Sequence, residues 1–117
     1  MQEVQAKADE NKKVKFKEKI NRVIEWADQF KIDCKIYLKH QEAIQTIRSN
    51  IFDDDLVEKS LISLKELWQK YPKSREYLQV EYGNVDILLG CLKNEDEGVM
   101  LNACETLEVL VSNCSER

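Results

Sequence analysis

Lys59-Ser60-Leu61-Ile62-Ser63-Leu64-Lys65-Glu66-Leu67 and, 43 residues further on, Asn102-Ala103-Cys104-Glu105-Thr106-Leu107-Glu108-Val109-Leu110 read as two copies of one helical pattern. Leucine meets leucine at Leu64/Leu107 and Leu67/Leu110, and small meets small at Ser60/Ala103. The leucines share one face of a helix, and the small residue lets a neighbouring helix come close. The acidic turns before the copies coincide too, with Asp53-Asp54 over Asp96-Glu97. A period near 40, helical throughout, points to stacked helical units that bury their faces only against one another.

Helix-boundary signals frame both copies. In Asp53-Asp54-Asp55 an Asp side chain can accept from free backbone N–H groups, and acidic charge suits the positive end of the helix dipole. Asp55 with Glu58 also has capping-box spacing. The helix that follows is expected to turn Leu56, Val57, Ser60, Leu61, Leu64, Leu67 and Trp68 inward. It should stop near Tyr71, because Pro72 disfavours helical backbone at the residue before it. Ser74 is expected to cap a short helix over 75–82, which Gly83 ends in the left-handed conformation. Asn84 then caps a helix with Val85, Leu88, Leu89 and Leu92 inward. Asn94-Glu95-Asp96-Glu97 turns the chain, and a last helix over 98–113 carries Val99, Ala103, Leu107 and Leu110 on its main stripe.

Towards the other end, residues 1–12 lack apolar periodicity and read as a flexible lead-in. From Lys13 the apolar side chains fall at Phe16, Ile20, Val23, Ile24, Ala27, Phe30, Cys34, Tyr37 and Leu38. Spacings of three and four place them on one stripe, as one long helix or as two with a break near 31–33. Trp26, Ile32 and Ile36 widen that stripe. A shorter helix over 40–49 carries Ala43, Ile44 and Ile47.

Residues 77–111 resemble one armadillo repeat almost end to end. Tyr77-Leu78-Gln79-Val80-Glu81-Tyr82-Gly83-Asn84-Val85 is similar to that family's short first helix and glycine corner, and Asp86-Ile87-Leu88-Leu89-Gly90-Cys91-Leu92 to its second helix. The acidic turn at 94–98 and Asn102-Ala103-Cys104 through Leu107 and Leu110 are similar to the turn and third helix. A weaker copy covers 38–71, and HEAT repeats share much of the pattern. The resemblance implies an all-α, right-handed superhelix of about two repeats: a helical cap at 13–37, a first repeat at 38–73 and a second at 74–117. In the family, third helices line a groove that holds a peptide or helix of another protein. The nuclear-import members clamp cargo with a Trp and an Asn on each third helix. Here those positions are Glu105 and Val109, and Ile62 and Glu66 in the earlier copy, so recognition of a basic import peptide is not implied. Candidate groove residues are Ser63, Glu66, Lys70, Asn102, Glu105, Thr106 and Glu108. Two repeats are few, so the chain reads as part of a longer array, or as one whose last face, with Trp68, Ile62 and Val109, is covered by a partner or a second copy.

Composition bounds the alternatives. A chain of 117 residues can bury a core without metals or disulfides, and 43% hydrophobic content is too high for disorder. Three glycines and one proline are too few for a sandwich or barrel. The polar N-terminus holds no signal-peptide core, and no run approaches a membrane span. Cys34, Cys91, Cys104 and Cys114 form no C-x-x-C pair and have only His40 for company. No zinc site or other cofactor is therefore expected, and Cys91 and Cys104 read as buried, reduced thiols of a cytoplasmic, nuclear or cytoskeleton-associated protein. His40, between Lys39 and Gln41, reads as lying on a polar turn. Asp53-Asp54-Asp55 lacks the alternating ligands of an EF-hand, and no phosphate-cradling glycine loop or nucleophile elbow is present.

Catalysis is thus not expected, and three readings remain. The first is a protein-interaction module binding a peptide or helix. The second is self-association, as an assembly segment of a cytoskeletal or ciliary scaffold. The third, with nucleic acid or a membrane surface as weaker candidate partners, uses the basic stretch Lys12, Lys13, Lys15, Lys17, Lys19 and Arg22.

Overall fold

A computed structural model describes residues 2–114, with side-chain surroundings for residues 10–112. Met1, residues 115–117 and the side chains of 1–9, Asn113 and Cys114 lie outside the described residues. Among those described, every regular element is helical: α1 Gln2–Ser49, α2 Asp54–Lys70, a 3-10 helix Pro72–Val80, α3 Asn84–Cys91 and α4 Glu97–Cys114. No strand occurs among them. The chain divides into two compact units, Met1–Lys35 and Ile36–Arg117.

The first unit is helix. Residues 2–12, expected as an irregular lead-in, are already helical. They are rich in Gln, Glu, Ala and Lys, which favour helix on propensity alone and need no buried face. The break expected as an alternative near 31–33 and the separate helix over 40–49 are also absent, and no Gly or Pro interrupts residues 2–49.

In the second unit the core joins Ala43, Ile44 and Ile47 of α1 to Val57, Leu61, Leu64 and Trp68 of α2. Leu78, Leu88, Cys91, Val99 and Ala103 complete it, with Leu107 and Leu110 packed against it. Asp53 caps α2 as expected, accepting from the Leu56 amide at 3.3 Å. The Asp55–Glu58 box does not form, because the cap lies two residues earlier. α2 ends at Lys70 before Pro72. Asp96 caps α4, accepting from the Val99 amide at 3.0 Å.

The cross-links between α2 and α4 climb both helices together. Asn94 Nδ2 donates to Asp54 Oδ1 at 3.5 Å and Asn102 Nδ2 to Glu58 Oε1 at 2.9 Å. Thr106 Oγ1 lies 3.1 Å from the Leu61 carbonyl, and Lys65 Nζ 3.1 Å from Glu105 Oε2. From Asp54 to Lys65 the partners shift from Asn94 to Glu105, the same direction along the chain, so the two helices run parallel. Gly98 allows the close start: a Cβ there would stand 3.0 Å from the Glu58 carboxylate.

The return between them differs from expectation in detail. The short helix is of 3-10 type and starts at Pro72, which fits a first helical position. Ser74 does not cap it by accepting; its hydroxyl donates to the Tyr71 carbonyl at 2.6 Å. Gly83 keeps a right-handed backbone, φ −84°, because it stands third in a turn that the Asn84 amide closes by donating to the Glu81 carbonyl at 3.3 Å, a position that needs no positive φ. Asn84 lies inside α3, wholly buried. Its Nδ2 donates to the Leu78 carbonyl at 3.3 Å and its Oδ1 accepts from Arg48 at 2.9 Å. Arg48 also pairs with Glu81 at 2.9 Å. That anchor sets which face of α3 is inward: Asn84, Leu88 and Cys91 are buried, whereas Val85 and Leu89 are exposed.

Truncating Leu64→Ala should cost about 2–5 kcal/mol in urea unfolding, since it empties a fully buried site. Phe52→Ala, at a side chain 98% exposed, should stay within about 0.5 kcal/mol. Similar losses from both would contradict this core.

Candidate protein-binding surface

The candidate groove residues separate onto the two sides of α2. On one side, α2 and the 39–46 stretch of α1 border an open groove of about 450 Å³. Ser63, Glu66 and Lys70, spaced three and four apart, share that side of α2, with Lys39, Glu42 and Thr46 opposite. On the other side a groove of about 570 Å³ lies between α2 and α4. Lys65 and Gln69 line it from α2, and Glu105, Glu108 and Val109 from α4. Pro72 adds to its lining, and the buried Trp68 forms part of its floor. The Lys65–Glu105 pair at its rim is half-exposed, so solvent screening leaves it little energetic weight. Glu108 keeps the groove acidic. Ile62 is 38% exposed, so it joins neither the core nor the lining of these grooves.

Two candidates serve the fold instead. Thr106 is fully buried, its hydroxyl within 2.7 Å of the Asn102 carbonyl and 3.1 Å of the Leu61 carbonyl. A threonine on a helix can satisfy its hydroxyl against the preceding turn, which makes it acceptable in a core. Asn102 is half-buried and holds Glu58 and the Gly98 carbonyl at 2.9 and 2.8 Å. Thr106 is closed to a ligand, and the Asn102 side-chain amide is engaged within the fold. A small polar residue that knits two helices together looks the same in sequence as one that faces water.

The basic residues Lys12, Lys13, Lys15, Lys17, Lys19 and Arg22 all lie exposed in the first unit. They do not form a separate polar face. Lys12, Lys13 and Lys17 surround Phe16 and Ile20, so the positive charge borders an apolar patch. Among the cysteines, Cys91 is buried, and its thiol pKa is raised by desolvation, whereas Cys104, expected to be buried, is exposed. Position 104 lies one residue past the buried Ala103, beyond the edge of the inward stripe of α4.

His40 is the largest departure from expectation. It is not on a polar turn but fully buried in α1, against Trp68 at 5.8 Å and edge-on to Tyr77 at 5.7 Å between ring centroids. Tyr77 in turn meets Tyr37 edge-on at 5.1 Å. Neither imidazole nitrogen has a hydrogen-bond partner, nor does the Trp68 indole nitrogen. Desolvation pushes the His40 pKa down to about 4, outweighing an opposing pull from the Gln41 side chain. The spacing His40, Ile44, Ile47 carries the signal for this burial, against the polar neighbours Lys39 and Gln41.

Among the described residues no group of three or more His, Cys, Asp or Glu is placed to hold a metal ion, and no helix is long and apolar enough to cross a membrane. No family model, curated protein or solved structure matches the chain.

The histidine gives a signed pH dependence. Between pH 6.5 and about 4 the unfolded chain takes up a proton that the folded chain refuses, so stability falls as pH drops through that window. The contribution reaches at most about 3 kcal/mol, of which about 2 should be lost between pH 7.5 and 5. Urea unfolding at those two pH values should show that loss in the native chain and not in His40→Phe. An equal loss in both would place the effect elsewhere.

Proposed function

We propose that the chain is a non-catalytic, armadillo-like protein-interaction module of about two repeats, working in the cytoplasm. It receives a peptide or helix of another protein along the exposed sides of α2 and α4. The observation that carries this reading is the parallel pairing of α2 and α4 at the interval of the internal sequence repeat, with a shorter two-helix return between them. Stacking of this kind leaves the outer faces of like helices side by side as a continuous surface. The α2–α4 groove has an apolar floor and wall from Trp68 and Val109 and an acidic rim from Glu105 and Glu108. An amphipathic segment with basic residues beside its apolar anchors would match it.

The test uses the full chain as bait in a cell lysate beside Glu105→Lys/Glu108→Lys and, for the other groove, Glu66→Lys. These side chains are at the surface, so the variants should fold as the native chain does. A specific partner should be retained by the native chain and reduced at least about tenfold on the double variant, a change equivalent to about 1.4 kcal/mol. Reduction on Glu66→Lys alone would move the site to the α1–α2 groove. Identical retention by all three baits would end the groove reading.

A further inference from the structure

The first unit displays an apolar seam that the groove reading does not use. Phe16, Ile20, Val23, Ala27, Phe30 and Cys34 follow one another at intervals of four and three, a heptad seam along α1. Phe16, Ile20, Val23 and Phe30 are each 43–65% exposed. Ile24 and Trp26 flank the middle of the seam and are also exposed, with Trp26 stacked on Phe30 at 5.3 Å. An amphipathic helix draws most of its stability from packing that face, so a seam this regular calls for a second helix.

We propose that this seam joins two copies of the chain as an antiparallel coiled coil centred on Glu25. In that register Phe16 lies level with Cys34 of the second copy, Ile20 with Phe30, and Val23 with Ala27. Every layer then sets a larger side chain against a smaller one, which suits close packing. Charge selects the direction. Residues 11–22 carry six Lys or Arg against one Glu, and residues 23–34 carry one Lys against three Asp or Glu. A parallel pair would set the basic halves side by side, with Lys12 flanking Lys17 of the second copy. The antiparallel pair sets basic against acidic and brings Lys19 beside Asp33 twice, once at each end. Lys17 then faces Lys31 of the second copy at the exposed rim, where salt screens the repulsion. At the centre, Ile24 and Trp26 meet their own counterparts across the two-fold axis and widen the apolar contact.

Sedimentation of the full chain from about 1 to about 100 µM, the range over which short helical interfaces dissociate, should show a species of twice 13.8 kDa growing with concentration. A zero-length carbodiimide link should form between Lys19 and Asp33. Within one helix these residues are about 21 Å apart, so the link has to join two copies. Mixing isotopically heavy and light chains should give the mixed-mass linked peptide. Val23→Glu should raise the dissociation constant at least about tenfold with far-ultraviolet dichroism unchanged, since Val23 is exposed in the single chain. Ile32→Glu, outside the seam, should leave it within about twofold. A monomer throughout, including one that instead binds anionic vesicles, overturns the proposal. So does a dimer lacking the Lys19–Asp33 link, or equal weakening by the two variants.

Discussion

The parallel contact of α2 with α4 is the constraint around which residues 36–114 are arranged. Two neighbouring helices that run the same way cannot be joined by a tight turn, because the chain has to travel back along the length of the first. For α2 that is about 25 Å. The 3-10 helix and α3 make this return, and they are short because a return leg is all they need to be. The buried Thr106 hydroxyl at the contact is engaged both across it and within its own turn, between the Leu61 and Asn102 carbonyls. Buried hydroxyls are tolerated only when so engaged, and one that bridges two helices also fixes how far one can slide along the other.

Much of this was legible in the sequence, wherever a single period or a single boundary residue carries the information. The α2 stripe from Val57 to Trp68, the Asp53 cap and the stop before Pro72 all follow from local rules that tertiary structure did not override. The departures share a cause. Asn84, Asn102, Thr106 and His40 are residues whose polar character suggests one local use, and each has a partner distant in sequence. Asn84 could cap a helix, yet the reach of Arg48 from 36 positions away draws it into the core. His40 has charged and polar neighbours in sequence but aromatic neighbours in space. For the candidate surface, spacing located the two helices correctly but could not say which polar side chains would be used up between them.

The two units solve the burial of α1 differently. From Ile36 onward its apolar residues are covered by α2 and the elements after it, and Ile44 and Ile47 are as enclosed as any side chain in the core. In the Met1–Lys35 unit the same kind of stripe remains open, bordered by lysines whose hydrocarbon stems lie along it. One helix therefore carries both a covered stretch and an open one.

The two tryptophans fall one to each unit and could hardly sit in more different surroundings: Trp68 is fully enclosed and Trp26 is 64% exposed. An indole in an apolar interior emits at shorter wavelength than one in water, so the protein's intrinsic fluorescence is the sum of two separable signals. The blue component belongs to the second unit and the red one to the first. Quenchers dissolved in the solvent reach the second long before the first, which gives each unit its own optical reporter without any label.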